Sequence, residues 1–358
     1  MKTTSRRRDH HGVSTLTLRL WEFSGTALLN LFVFVLLIAY LSPMAYMVVT
    51  SLKLKAQLLD SNAPIYPAER VMYTYQGEDY PVYQFPTSTG IKDMALVTPR
   101  LLSSEFVDPQ NPGAGLFHWV GSWRTLKSVY RLHLSFSNFG YLWHLIDFPL
   151  AVKNTLLIAL IGEIGVLCSS IAVAYGFSRF RIPGGRWLFY LLIATIIIPD
   201  SITLVPVYFL NVRILPWNGT WYPLLAPLFF GNAIFIFLLR QNFKSIPREL
   251  DEAAMMDGAS PLRILVSIIL PQCVPVVVTV ALLHFFYVWN EVRLSSLYLG
   301  ISPNLRLISF TVQTYQSYGF TPEILETSAL LLLIVPIVVL FLAQRFFMQD
   351  MVVTGLEK

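Results

Sequence analysis

The run Glu252-Ala253-Ala254-Met255-Met256-Asp257-Gly258, followed by Ile268-Ile269-Leu270-Pro271, decides how this chain folds. It is a polar, small-residue stretch set between two very apolar ones. Ser245 is placed to act as an N-cap, and Pro247 falls in a first helical turn, where its missing N–H costs little. Arg248 to Asp257 then reads as helix, with Leu250, Ala253, Ala254 and Asp257 recurring at i, i+3, i+4 and i+7 on one face. The two alanines on that face admit close approach by another surface. Gly258 stands where a helix ends in the left-handed conformation. Ser260-Pro261 supplies a second N-cap and first-turn proline, so a second helix starts almost at once. Ile264, Leu265, Ile268 and Ile269 form its apolar side, and Leu270-Pro271 with Pro275 mark its bend into the next apolar segment. The pattern predicts a helical hairpin over 241–270 that turns at Gly258.

The rest of the chain sets that hairpin in a membrane. Of 358 residues, 55% are hydrophobic and only 13% charged, a balance foreign to soluble domains. The formal charge of +5 comes from basic residues that border apolar segments, which is topology information rather than a nucleic-acid surface. Cys168 and Cys273 fall near or inside apolar segments and lack metal-ligand spacing, so neither a disulfide framework nor a metal site is expected. The first apolar segment is long and has no small-residue cleavage site after it, which argues against a cleavable signal peptide.

A span needs roughly 20 apolar residues. Six segments qualify, at 27–50, 151–177, 187–209, 222–240, 270–290 and 326–345. Pro43, Pro199, Pro206, Pro227, Pro275 and Pro336 lie within them and mark kinks. Arg6, Arg7, Arg8 and Arg19 precede the first span; Arg179, Arg181 and Arg186 join the second to the third. Arg240, Lys244, Arg248 and Arg263 lie around the hairpin, and Arg345 follows the last span. If the spans alternate, all these clusters share one side, which the positive-inside rule makes cytoplasmic. That places the hairpin, the N-terminal segment 1–26 and the tail 347–358 in the cytoplasm. Thr15 to Phe23 reads either as an interfacial amphipathic segment or as disordered.

Residues 51–149 then lie outside the cell, between the first two spans. Tyr73-Thr74-Tyr75 and Tyr80-Pro81-Val82-Tyr83 flank Gln76-Gly77-Glu78-Asp79 as a β-hairpin. Met94 to Val97 and Phe117 to Val120 suit further strands, with turns at Asp108-Pro109 and Asn111-Pro112-Gly113. A small β-rich insertion is expected. It fits two roles, a structural cap or a docking platform for an extracytoplasmic protein.

The wider string Ser245-Ile246-Pro247-Arg248-Glu249-Leu250-Asp251-Glu252-Ala253-Ala254, continuing through Asp257-Gly258-Ala259-Ser260, with Ile268-x-Leu270-Pro271 following Gly258 after nine intervening residues, resembles the signature of permease subunits of ABC importers. Within these it is similar to the carbohydrate-importer, maltose-type branch. Met256 replaces the isoleucine usual before Asp-Gly, a tolerant change at a contact position. Asn154-Thr155 and Trp289-Asn290-Glu291 also match strings frequent in that family. The resemblance covers 150–358 and the first span and leaves the insertion uncovered.

The resemblance implies an all-α integral membrane protein. It would have six transmembrane helices of the type I ABC importer kind, a five-helix permease core over 150–346, and the β-rich extracytoplasmic insertion between helices 1 and 2. It implies that the hairpin is the coupling helix, with Glu249, Leu250, Glu252, Ala253, Ala254, Asp257 and Gly258 meeting a cleft of a separate ATPase. ATP and Mg would be held there and not in this chain, which has no Gly-x-x-x-x-Gly-Lys loop. The implied partners are a second permease, two ATP-binding subunits, an extracytoplasmic solute-binding protein, a sugar substrate and membrane lipid. Polar residues within or at the end of spans are candidates for the path: Glu163, Asn232, His284 and Asn290. Each also suits plain helix packing; for Glu163 the neighbours Gly162 and Gly165 admit close contact. A permease for a non-sugar solute is the first alternative. A secondary transporter should show a paired inverted repeat, and a receptor a cytoplasmic signalling domain; neither is evident.

Overall fold

The computed structural model describes the backbone of residues 15–87 and 90–354 and, within these, the side chains of residues 26–87 and 90–346 other than Asp200. Arg6, Arg7 and Arg8, the side chains of the 15–23 segment, those of the 347–358 tail and the last residues of that tail lie outside this description. The chain divides into two compact units between Leu134 and Ser135.

The first unit holds helices α1 (Thr15–Ser51) and α2 (Lys55–Leu58), then strands β1 (Ala68–Arg70), β2 (Met72–Tyr75), β3 (Glu78–Thr87), β4 (Gly90–Thr98), β5 (Ser103–Val107), β6 (Leu116–Val120), β7 (Lys127–Ser128) and β8 (Tyr130–Leu132). Within α1, Thr26–Ser51 has a mean hydropathy of 2.3, enough to span a bilayer. Strands β2 to β6 form an antiparallel meander in chain order, and β7 pairs with β3. The β2–β3 hairpin is tighter than its sequence suggests. Gln76 and Gly77 both take positive φ (52° and 87°), the two-residue turn whose twist matches a hairpin, and Glu78 and Asp79 are already in β3. Alternation then covers both faces of the sheet: Tyr83, Phe85, Met94, Leu96, Phe106 and Leu126 pack on one, Val82, Ala95 and Val107 on the other. Strand β5 escaped the sequence reading, and β4 runs well beyond Met94 to Val97.

The ends of this β region meet. Strands β1 and β8 pair antiparallel, Ala68 opposite Leu132 and Arg70 opposite Tyr130. Asp60 accepts hydrogen bonds from Arg70 (2.7 Å), Tyr130 (2.6 Å) and Ser128 (3.3 Å) and ties both ends to the loop after α2. The buried Gln57 amide donates to the carbonyls of Pro64 and Tyr66 and accepts from the Ala68 N–H.

The second unit is helical: α3 (Ser137–Leu145), α4 (Phe148–Arg179), α5 (Gly185–Ile197), α6 (Asp200–Phe209), α7 (Tyr222–Leu225), α8 (Ala233–Ser245), α9 (Arg248–Met256), α10 (Pro261–Ile264), α11 (Leu270–Gln272), α12 (Val274–Trp289), α13 (Arg293–Leu299), α14 (Ile308–Gln316) and α15 (Pro322–Thr354). Hydropathy placed the end of the insertion at 149; the unit boundary falls earlier, because α3 buries Leu142 beside Trp289 and Leu331. Helix α4 is the spine of all three apolar cores. Val166 and Ala174 pack with α8 and the hairpin, Ile158 with Leu224, Tyr298 and Leu307, and Phe148 and Ala151 with Trp289 and Ile308. Asn154 donates to the carbonyls of Asn304 and Arg306, and the Thr155 hydroxyl accepts the Ile308 N–H at 2.9 Å, so the Asn-Thr pair pins the start of α14 to the spine.

Four helical stretches are long and apolar enough to cross a membrane, or six if each of two bent pairs is one span. The span at 187–209, read as kinked by its prolines, breaks at Ile198, where α5 and the next helix meet at 95°. Pro199 accounts for the break: it pushes Ile198 into extended geometry (ψ 117°) and itself takes the cap position of α6. The second bend, 83°, separates 261–272 from Val274–Trp289. A π-turn at Leu265–Ile269 precedes it, and the backbone leaves the helical region at Cys273.

Candidate functional site

The predicted hairpin forms. Helix α9 ends on Gly258, whose φ is +80°, with the Gly258 N–H on Met255 O (3.0 Å) and the Ala259 N–H on Ala254 O (2.9 Å). These two bonds close the helix end in a Schellman motif, which a residue with a Cβ fits poorly. The Ser260 hydroxyl caps α10 by accepting the Arg263 N–H at 3.4 Å. Ser245 does not cap α9. Helix α8 runs on through it, its hydroxyl donates back to Asn242 O, and extended Pro247 is the residue before the first turn.

One face of α9 is anchored and the other is bare. Asp251, absent from the sequence candidates, is buried and meets Arg179 at the end of α4, Nε to Oδ2 2.7 Å. Both side chains are under 8% exposed (6% and 7%), so this is a desolvated ion pair. Arg179 also donates to Ile246 O, Arg248 to Ser178 O, and the Tyr175 hydroxyl to Pro261 O at 3.0 Å. Ala254 packs inward against the core. Glu249, Leu250, Glu252, Ala253, Met255, Met256, Asp257 and Gly258 face outward and are exposed, Met256 to 89%. The i, i+3, i+4 stripe is thus split: Leu250, Ala253 and Asp257 remain outside, while Ala254 joins Asp251 on the anchored side.

The candidate path residues separate into one pair and two singles. Glu163 on α4 and His284 on α12 meet at 2.8 Å, Oε2 to Nδ1, with His284 1% exposed and Glu163 20%. Gly162 makes the approach possible, since a Cβ there would lie 2.5 Å from Leu228 Cδ1 and 3.0 Å from His284 Cε1. Glu163 Oε1 and His284 Nε2 are buried without a hydrogen-bond partner. Asn232 instead caps α8, its Oδ1 accepting the N–H groups of Ile234 and Phe235. Asn290 is exposed and donates to Phe286 O. Trp289 is 2% exposed and donates to Leu332 O at 3.0 Å, so it is a core residue and not an interface anchor. Glu291 accepts the Leu294 N–H and starts α13. Among the described residues, no group of three His, Cys, Asp or Glu is placed to hold a metal ion.

Bent apolar helices around a single spine, with one capped polar hairpin salt-bridged to that spine, make up a helical membrane component. The chain belongs to the family of binding-protein-dependent transport system inner membrane components, whose sequence model it matches over residues 165–356. It is therefore a permease subunit of an ABC transport system, not an enzyme, and ATP hydrolysis belongs to a separate chain. It is 28% identical over 235 residues to the osmoprotective compounds uptake permease protein GgtD of Synechocystis, covering 64% of this chain and 77% of that one. It is 30% identical over 207 residues to the alpha-glucoside transport system permease protein AglG of Rhizobium meliloti, covering 55% and 54%. Its fold matches the crystal structure of a bacterial ABC transporter involved in the import of the acidic polysaccharide alginate, with a TM-score of 0.60 at 20% identity, over 94% of this chain and 99% of the other.

Proposed function

We propose that this chain translocates a sugar or oligosaccharide by alternating access, driven through the 241–270 hairpin by an ATPase on the cytoplasmic side. Each bent pair counts as one span, so six cross the membrane with both termini inside and the β-rich insertion outside. A second permease completes the gate, two ATPase copies sit beneath, and a solute-binding protein delivers the substrate. Glu249, Leu250, Glu252, Ala253, Asp257 and Gly258 form the docking face, and Ala254 supports it. Closing the ATPase dimer moves the hairpin, and the Arg179–Asp251 pair passes the displacement to α4. Such a shift requires that ATP favour one gate state over the other by several kcal/mol. The Glu163–His284 pair sits where α4 and α12 meet and is the best candidate for a polar group on the path.

The observation that carries this reading is the asymmetry of α9, buried and ion-paired on one side and bare on the other. Its test is Glu252→Lys in the reconstituted importer. Glu252 is exposed, so expression and melting should stay as in wild type, while substrate-stimulated ATP hydrolysis and uptake should vanish. Uptake at the normal rate would refute the lever. The alpha-glucoside relative supports a sugar; the osmoprotective-compound relative favours a second reading, a non-sugar osmolyte. Competition of labelled uptake by a panel of both classes separates them.

A further inference from the structure

A cavity of 590 Å³ lies between the end of α4, the start of α5 and the end of α8. Arg181, Arg186, Arg240 and Lys244 line it, with Phe189 and Tyr190. Among the described residues none of the four cations is ion-paired, unlike Arg179 with Asp251 and His284 with Glu163. Two of them, Arg240 and Arg186, are held by aromatic side chains instead. The Arg240 guanidinium lies 3.9 Å from the Phe189 ring centroid and its Nε donates to Phe177 O. Arg186 Nε donates to the Tyr190 hydroxyl at 3.1 Å. The N-terminus of α5, thirteen residues long, opens on the same cavity through Gly185 and Arg186, and its dipole adds to the positive field.

Beside this basic floor the surface is apolar. Trp187, Leu188 and Leu191 on the same helix are exposed to 76%, 48% and 66%. An anionic partner protein would cover the charges and leave these side chains stranded. An occupant that satisfies both is an amphiphile, with a phosphate for the cations and acyl chains for the α5 face. Tyr190 and Trp187 at the boundary suit the headgroup level of a bilayer.

We propose that this cavity is a binding site for one anionic phospholipid of the inner leaflet, wedged between the ends of α4 and α8 and the start of α5. The location in the inner leaflet rests on the proposed cytoplasmic position of the hairpin. Labelling Met256→Cys with a membrane-impermeant maleimide tests that position separately: reaction in inside-out vesicles and not in intact cells upholds it, and the reverse overturns the orientation without touching the lipid measurement.

The lipid is tested on the whole importer complex, purified and exchanged into nanodiscs of phosphatidylglycerol or phosphatidylcholine, by native mass spectrometry of retained lipid. Wild type should retain phosphatidylglycerol in preference to phosphatidylcholine. Arg186→Gln with Lys244→Gln should weaken retention about fivefold per cation removed, the equivalent of ~1 kcal/mol for each basic residue at an anionic headgroup. The charge-keeping pair Arg186→Lys with Lys244→Arg should restore it, which excludes simple misfolding. Equal retention of the two lipids, or retention unchanged in the glutamine variant, overturns the site. Loss of the ATPase subunit from the glutamine variant with lipid retention intact assigns the patch to a protein partner. Thermal stabilisation by inorganic phosphate as large as by phosphatidylglycerol assigns it to a free anion.

Discussion

Asp251 shows how much of a site a one-dimensional reading misses. It sits inside the string that carries the family resemblance, yet the adjacent Glu252 drew the attention, and only the fold reveals which of the two acids is buried. The helical period alone did not separate the two acids: Asp251 and Ala254 are i, i+3, yet Ala254 is also i+4 from Leu250, which stays outside. Its partner Arg179 was assigned to topology as one of several loop cations, because nothing local marks a residue 72 positions away as a contact. Removing one member strands the other. Asp251→Ala should lower the stability of the complex by about 3–5 kcal/mol, whereas Arg179→Met with Asp251→Leu should recover most of that loss. Thermal melting of the three variants and wild type decides this, and a double variant no better than Asp251→Ala would show that the pair is not the anchor. Glu163 and His284 make a complementary case. Sequence singled out both as polar groups in apolar segments, but their meeting depends on Gly162 and on the crossing of two helices far apart in the chain. A double-mutant cycle with Glu163→Gln and His284→Phe should give a coupling energy of about 1–3 kcal/mol in melting of the complex; simple additivity would deny the contact.

Elements were legible where local chemistry determines them. Gly258 and Ser260-Pro261 stop one helix and start the next for reasons contained in a few residues, and the structure follows them. Ser245 misled because a serine before a proline looks like a cap when the preceding helix is assumed to have ended; here it had not. The bend at Pro199 was visible as a proline but not as a 95° turn, since the angle depends on what α5 and α6 pack against. In the β region the hairpin at Gln76-Gly77 was evident, while β5, a short Ser-Ser-Glu-Phe-Val run, became a strand only through its neighbours β4 and β6. The Asp60 cluster that closes this region has a pH signature. Burial alone would raise the Asp60 carboxyl, but hydrogen bonds from Tyr130, the Asn62 N–H and Arg70, with the charge of Arg70, outweigh it and hold the group below the usual range. A depressed carboxyl contributes stability that is fully present above its unfolded value of about 3.9 and is lost as pH falls through the folded value. Hydrogen-exchange protection of β1 and β8 should therefore drop on acidification below about pH 4. Asp60→Asn should start lower at neutral pH and fall less; equal slopes would remove Asp60 from the account.

At the scale of the whole molecule, the pairing of β1 with β8 makes the β region a loop whose two ends are already neighbours. Excising 68–132 and joining the flanks with a short linker should leave the helical unit able to insert and to copurify with its ATPase. Loss of the ATPase on excision would mean that the two units cannot be treated separately. The hydropathy reading could not locate the boundary of the helical unit, which depends on α3 finding Trp289 and Leu331. The sharp turn at Cys273 then bears on how the molecule handles force. The two arms meet at 83°, so a thrust along the first has almost no component along the second. On the proposed mechanism, a push on the hairpin end reaches α12 as sideways leverage rather than as a piston stroke, as a crank turns a shaft.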